Sequence, residues 1–410
     1  MLLPRRPATD AGRAQGIRPG AALVQAARPG GGGRLFRLGR GFGALGDFAL
    51  AGEALGLAPT KKGETAMRFG VFDHLDRGPG TLREDFEHRL MLGELYDQHG
   101  FHAYHQAEHH STPLGAASSP SVFLAALAQR TKRLRFGPLV YTLPLYHPLR
   151  LFEEICMLDH MSGGRLEIGV GRGISPHEVR FYGLDPAKVQ AQYIEALGLI
   201  LKALASEGQE LTHHGEFYQV DAVPITVGPV QRPHPPLWYG IARPDGVPWC
   251  AENSVNAVGN LPAAAMRAVA DRYRQEWAAL GRPEATLPMI GTSRHLVVAE
   301  TDEEALALAR RAYLKWIDSF MYLWKRRGGI PPNANFPPTW DDMAARGQAF
   351  CGSPATMRDL LARDIPASGI NYLLCRFAFG DMLPAESKRS VELFVREVMP
   401  AFARREAVAA

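Results

Sequence analysis

The chain has 410 residues, of which 46% are hydrophobic and 21% charged, an ordinary composition for a folded protein with room for one large α/β domain and an extension. No run of eighteen apolar residues occurs, so no membrane span is expected. Four scattered cysteines, Cys156, Cys250, Cys351 and Cys375, form neither a CxxC pair nor a disulfide framework, and read as thiols of a reducing, cytoplasmic compartment with no metal site. The net charge of +4 is unevenly spread. Residues 1–66 hold eight Arg and two Lys against four acids, a net of +6, which leaves −2 for residues 67–410. A mildly acidic body gives no electrostatic case for nucleic acid.

Residues 1–66 are rich in Gly, Ala and Arg, with the run Gly30-Gly31-Gly32-Gly33 and no sustained periodicity. They read as a disordered tail, a targeting segment, or translated leader before a start at Met67. Arg5-Arg6 is not followed by the compact apolar stretch and small-residue site of an export signal. A disordered or spurious extension is the favoured reading, because strand-like sequence begins at Met67. Residues 403–410 are expected to be a short tail.

From Met67, short apolar runs alternate with longer segments of helical period. Met67–Phe72 is strand-like, Leu82–Gln98 an amphipathic helix ended by Gly100, and Phe101–Ala107 a second strand. Ser119–Arg130 is a helix with Pro120 in its first turn, and Leu134–Val140 a third strand. A helix follows over His147–Met161, closed by Gly163-Gly164. Leu166–Val170 is the fourth strand, ahead of a long helix around Lys188–Ala205. Strands are then expected at Leu237–Ile241, Asn256–Val258, Met289–Ala299 and Gly369–Arg376. Helices are expected over Pro262–Leu280, Asp302–Trp324 and Ala385–Val398. Eight strands alternating with helices predict one (β/α)8 barrel over residues 67–402. A doubly wound sheet is disfavoured, because Phe72-Asp73-His74-Leu75-Asp76 stands where a Gly-rich dinucleotide turn would follow the first strand. Two excursions interrupt the alternation, Thr212–Pro235 and Lys325–Phe350. The second shows no clear helix and is a candidate lid, since loops after barrel strands build the active face.

The segment His102-Ala103-Tyr104-His105-Gln106-Ala107-Glu108-His109-His110 concentrates ionisable groups. Strand alternation puts Ala103, His105, Ala107 and His109 on one face and His102, Tyr104, Gln106 and Glu108 on the other. Facing histidines four residues apart lie about 13 Å from each other along a strand, too far to share a metal. With small Ala103 and Ala107 toward the lumen, a flat ligand has room, and His109 stands at the strand's C-terminal mouth. There it serves either as a general base or acid or as a hydrogen-bonded structural residue. Glu108, facing outward, is expected to hold neighbouring backbone. Of Arg294 and His295, the one facing inward is a candidate for a polar substrate group.

Several motifs together resemble the bacterial-luciferase-like flavin monooxygenases. They are Ala107-Glu108-His109-His110, Leu143-Pro144-Leu145-Tyr146-His147-Pro148, Leu158-Asp159-His160-Met161-Ser162-Gly163-Gly164-Arg165, Gly169-Val170-Gly171-Arg172-Gly173 and Gln231-Arg232-Pro233-His234-Pro235-Pro236. Gly352-Ser353-Pro354 and Glu397-Val398-Met399-Pro400 follow near the end. Each motif alone is weak; their order across Met67–Pro400 carries the resemblance.

The resemblance implies that His109 lies at the flavin and acts as a base. It also implies a cis peptide at Leu139–Val140 against the flavin ring, Phe72 and Ala107 beside it, and Arg172 on the phosphate. Gly169, Gly171 and Gly173 would let backbone approach a ligand closely. Gly171 replaces a cysteine of the luciferases, and the loop after the fifth strand, Ala242–Trp249, lacks their hydroxyl side chains. Arg243 and the backbone N–H groups of Gly246 and Val247 are expected to substitute there. Reduced FMN supplied by a separate NAD(P)H-dependent reductase, dioxygen and a small organic substrate are the implied reactants, and a homodimer the implied assembly. Hydride transfer through a deazaflavin is one alternative, disfavoured by the intact Glu108-His109-His110. A flavin-binding partner subunit without turnover is the other.

Overall fold

The computed structural model describes residues 67–331 and 336–402; the expectations for residues 1–66 and 403–410 fall outside them. The first part of the chain forms β1 (Arg68–Asp73), α1 (Leu82–Gln98), β2 (Ala103–Gln106), α2 (Pro120–Arg130), β3 (Arg135–Pro138), β4 (Tyr141–Thr142), α3 (Pro148–Ser162) and β5 (Ile168–Gly171). Next come α4 (Pro176–Phe181), α5 (Val189–Leu204), β6 (Glu210–His214), β7 (Gln219–Pro224), β8 (Leu237–Gly240), α6 (Val247–Glu252), β9 (Asn256–Gly259) and α7 (Ala263–Ala279). The chain continues through β10 (Ile290–Val298), α8 (Asp302–Phe320), α9 (Tyr322–Arg327), α10 (Trp340–Ala345), β11 (Ala349–Gly352), α11 (Pro354–Ser368), β12 (Tyr372–Arg376) and α12 (Pro384–Leu393).

The principal sheet runs β3-β2-β1-β12-β10-β9-β8-β5-β4, and every pairing in it is parallel. β3 and β4 are two halves of one barrel stave. The Phe136–Leu166 bridge and the β4–β5 pairing close the sheet on itself, giving the eight staves of a (β/α)8 barrel. The helices pack outside on the apolar outer faces of the strands, and a small inner cluster of Leu139, Trp238, Val258, Tyr372 and Leu374 fills the lumen. Active groups are therefore sought at the C-terminal rim, above that plug.

The expected strands and helices are present with shifts of a residue or a few at their ends, and the excursions hold more structure than sequence patterning indicated. Thr212–Pro235 begins within an antiparallel hairpin, β6 with β7. Lys325–Phe350 is not devoid of helix: it contains α10, and β11 starts at its end and adds a parallel strand to β10. The helix α11 fills a stretch the patterning left unassigned. Asp302–Trp324 is two helices, α8 and α9, meeting at Met321. His102 does not follow the strand alternation. It precedes β2, and its Nε2 lies 3.2 Å from Glu167 Oε1, while Glu167 Oε2 accepts from the inward Trp238 indole at 2.5 Å. The ring thus turns under the barrel floor.

Candidate active site

His109 stands three residues beyond the end of β2, on the rim. Its Nδ1 lies 3.2 Å from Glu178 Oε1, with both side chains largely shielded. The partner is set by local sequence: Ser175 caps α4 by accepting from the Glu178 amide, and Pro176 occupies the first turn, which fixes Glu178 one turn into a short helix. With Nδ1–H donating to the carboxylate, Nε2 keeps its lone pair. The ring stacks on His74 at 5.6 Å between centroids. Burial, followed by the charge of Arg376, pushes the His74 pKa well below its ordinary value, so that neighbour is neutral near pH 7. A small open cleft is lined by His109, Ser175, Glu178, Phe320, Trp324 and Pro331 among others. Leu323 and Trp324 of α9 and Pro331 wall the site; of these only Pro331 lies in the excursion Lys325–Phe350, and the His177 ring ties α4 to this wall through Trp324 at 4.8 Å and the Gly328 carbonyl at 3.1 Å.

Glu108 holds backbone, as its outward position implied. Its carboxylate accepts from the Thr142 amide at 2.8 Å and meets His110 Nε2 at 2.7 Å, and His110 Nδ1 meets the Tyr182 hydroxyl at 2.7 Å. This chain of contacts braces the rim loops beside His109.

The Leu139–Val140 peptide is cis and interrupts the third stave between β3 and β4. Phe72 and Val140 pack against the inner cluster that includes Leu139, and Ala107 is buried beside them at the end of β2. The glycines following β3 in the barrel have a packing reason that was not expected. A Cβ on Gly169 would stand 2.3 Å from the Pro138 carbonyl oxygen, and one on Gly171 would stand 2.5 Å from Val140 Cγ2. Crowding by the neighbouring stave is by itself enough to favour glycine at both. On β8, the next stave round from β5, Gly240 follows the inward Trp238 by two residues, and a Cβ there would meet nothing within 4 Å. That marks open room over the lumen.

Arg172, Arg243, Gly246 and Val247 gather at the ends of adjacent strands, because β5 pairs with β8 in the register Val170–Tyr239. Their contributions differ from expectation. Arg243 is 79% exposed and sits 3.6 Å from Asp245, so the acid engages it. The Val247 amide donates to the Pro244 carbonyl and is not free for an anion. Arg172, exposed on the rim, has no such acid.

Between Arg294 and His295, the inward residue is His295. Arg294 points outward, where its guanidinium meets both oxygens of Asp364 at 3.1 and 3.3 Å. His295 lies under Trp316, with ring centroids 4.6 Å apart, and burial, then Arg376, drives its pKa well down. Deeper in the lumen His105 Nε2 meets the Tyr372 hydroxyl at 2.9 Å, and burial lowers its pKa to about 4. Sequence reasoning missed Glu178 and Arg376. The Ser175-x-x-Glu178 spacing of a helix cap was the available signal for the first.

Comparison with known proteins agrees with this architecture. The family profile described as luciferase-like monooxygenase matches residues 67–371. Uncharacterized protein y4wF of Sinorhizobium fredii is 40% identical over 316 residues, covering 77% of this chain and 92% of its own. The oxygenase component of a flavin-dependent trigonelline monooxygenase from Acinetobacter baylyi is 26% identical, covering 82% of this chain and 96% of its own. Among solved structures, monooxygenase RslO1 from Streptomyces bottropensis superposes with a TM-score of 0.73 at 26% identity, covering 82% of this chain and 100% of its own.

Proposed function

Because this chain belongs to the luciferase-like monooxygenase family, we propose that it uses reduced FMN and dioxygen to oxygenate a small organic substrate. A separate NAD(P)H-dependent reductase supplies the reduced flavin, a division of labour in keeping with the relative named as an oxygenase component. The observation that carries the reading is the His109–Glu178 pair on the barrel rim. The residues present suit the cofactor. A flat ring would have a seat at Phe72, Leu139 and Val140, with Ala107 keeping the wall low and open room at Gly240 on β8. Arg172 faces the phosphate, with Arg243 and the Gly246 amide as lesser contributors. When bound, reduced FMN supplies the electrons for dioxygen chemistry. His109 accepts and returns a proton at Nε2, Glu178 fixes the imidazole's tautomer and stabilises its protonated form, and α9 with Pro331 excludes water.

The test begins with anaerobic titration of photoreduced FMN into the full chain, followed by rapid mixing with aerated buffer. Saturable binding is expected, with reoxidation kinetics distinct from those of free FMN and altered by His109→Ala. Absence of reduced-FMN binding defeats the proposal, and preferential binding of a deazaflavin would replace it with hydride transfer.

A further inference from the structure

β12 alternates its side chains across the barrel wall. Tyr372 and Leu374 belong to the inner cluster, so Arg376, two residues on, enters the rim from the inside. It is 5% exposed. Its Nη2 donates to Ser293 Oγ at 3.0 Å, while Nε and Nη1 have no hydrogen-bond partner among the described residues. The other buried arginines of the described residues are furnished differently. Arg89 meets Asp73 and Asp76, and Arg294 meets Asp364. Arg376 alone of the three lacks a carboxylate.

Among the described residues no carboxylate contacts it directly. Asp73 and Asp76 make their contacts with Arg89 and act on Arg376 only through space, and His74 and His295 carry lowered pKa values, burial being the first cause and Arg376 the second. The guanidinium lies over Phe72 at 4.6 Å, Trp316 at 5.8 Å and Phe336 at 5.9 Å, contacts that offset only part of the desolvation of a buried cation. Two further buried atoms without partners belong to the same group of rings, His295 Nε2 and Trp316 Nε1. An indole N–H can only donate, and the imidazole does so in one tautomer. Unused donors on a buried guanidinium that no carboxylate contacts directly, framed by aromatic faces, suit an acceptor-rich anion on an apolar body.

We propose that Arg376 is the anchor for a carboxylate group of the organic substrate, so that the enzyme acts on a flat or aromatic carboxylic acid held between Phe72, Trp316 and Phe336. The proposal rests on the monooxygenase reading above and names the substrate class for that site. The acid competes with one other anion, the reduced flavin ring itself, and the experiment separates the two.

Benzoate, phenylacetate and cinnamate are titrated calorimetrically into the full chain, each against its neutral amide, anaerobically, with and without reduced FMN. At least one acid is expected to bind about tenfold or more tightly than its amide, as befits a charge-assisted contact. Arg376→Gln is expected to abolish that preference and Arg376→Lys to keep part of it. Arg376→Lys also carries the comparison if Arg376→Gln fails to fold. Equal binding of acids and amides overturns the proposal, as does a preference that survives Arg376→Gln. Loss of reduced-FMN binding in Arg376→Gln, without acid preference in the unaltered protein, assigns the arginine to the flavin and also overturns it. Acid preference in a protein that binds no reduced FMN would leave the anion site standing and defeat only the flavin reading.

Discussion

Gly171 stands beside the cis peptide, where luciferases carry a larger side chain, and the structure sets what a substitution there must do. In Gly171→Ala the new Cβ would lie 2.5 Å from Val140 Cγ2, 3.3 Å from its Cβ and 3.5 Å from Cγ1. Carbon contacts are comfortable at about 3.5–4.0 Å, so Cγ2 must retreat by about 1 Å or more. A β-branched side chain has few rotamers to escape into, and overpacking of this kind costs about 1–3 kcal/mol. Val140→Ala removes both γ carbons and leaves only the tolerable 3.3 Å contact, so the double variant should recover most of the loss. Urea unfolding of the four proteins in the cycle measures this, with a rescuing interaction energy of about 1–2 kcal/mol expected. Reduced-FMN affinity should follow the same pattern, since Val140 belongs to the proposed ring seat. Additivity of the two substitutions within about 0.5 kcal/mol would refute the steric argument.

Three further outcomes are expected. Glu178→Gln should lower the turnover number about tenfold or more with little change in KM, and Glu178→Asp should restore part of it; an unchanged turnover number removes Glu178 from proton handling. His105 has its pKa depressed by burial from 6.5 to about 4, so the folded state resists the proton that the unfolded chain accepts. Its contribution to stability is full above pH 6.5 and is lost as pH falls through about 4, on the order of 3 kcal/mol in all. Denaturation midpoints should therefore decline across that window, with a shallower slope in His105→Asn, and an identical slope would count against it. On adjacent helices α2 and α3, Val122 is 72% and Met157 61% exposed, an apolar face that would suit the homodimer implied by the family resemblance. Met157→Glu should shift the light-scattering mass toward the monomer, and an unaltered dimer would move the interface elsewhere.

Legibility in the sequence followed local physics. α1 spans Leu82–Gln98 as read, because Thr81 and Glu84 form a reciprocal cap whose spacing is visible in the chain. β10 was readable within a residue of each end, as a long apolar run bounded by turns. The hairpin of β6 and β7 was not, because few of its residues are buried and the burial gives little alternation to detect. α11 was hidden by its polar content and by the internal Pro366, which argue against helix until Ser353 is recognised as its cap.

The site divides in the same way. His109 was accessible from its position at a strand end and from the resemblance, but Glu178 is 69 residues away and meets it only once β2 and β5 are set in the barrel. The inward direction of Arg376 depends on which face of β12 looks into the lumen, and an almost uniformly apolar strand does not declare it. Gly169 and Gly171 were singled out for a ligand, with no sign of their crowding by the protein itself. The atoms that exclude a side chain belong to the next stave, a packing fact with no local trace.

On the proposed reading, the two sides of the rim hold their ligands on different terms. At the ends of β5 and β8 the phosphate side is open to water. Arg243 is already engaged by Asp245, and the Val247 amide is spent within its own turn, which leaves Arg172 as its principal cation. Exposed charge contacts of this kind are screened and individually weak. That suits a flavin that arrives reduced and departs oxidised better than a permanently held one. Across the lumen, between β10, β12 and α8, the surroundings of Arg376 are dry and aromatic, and the guanidinium keeps its desolvation cost until an anion arrives. A partner that neutralises it gains more there than at the open rim, because low polarity strengthens every charge contact. Discrimination among substrates is accordingly concentrated at Arg376 and its aromatic frame, while the flavin side serves many encounters with a common cofactor.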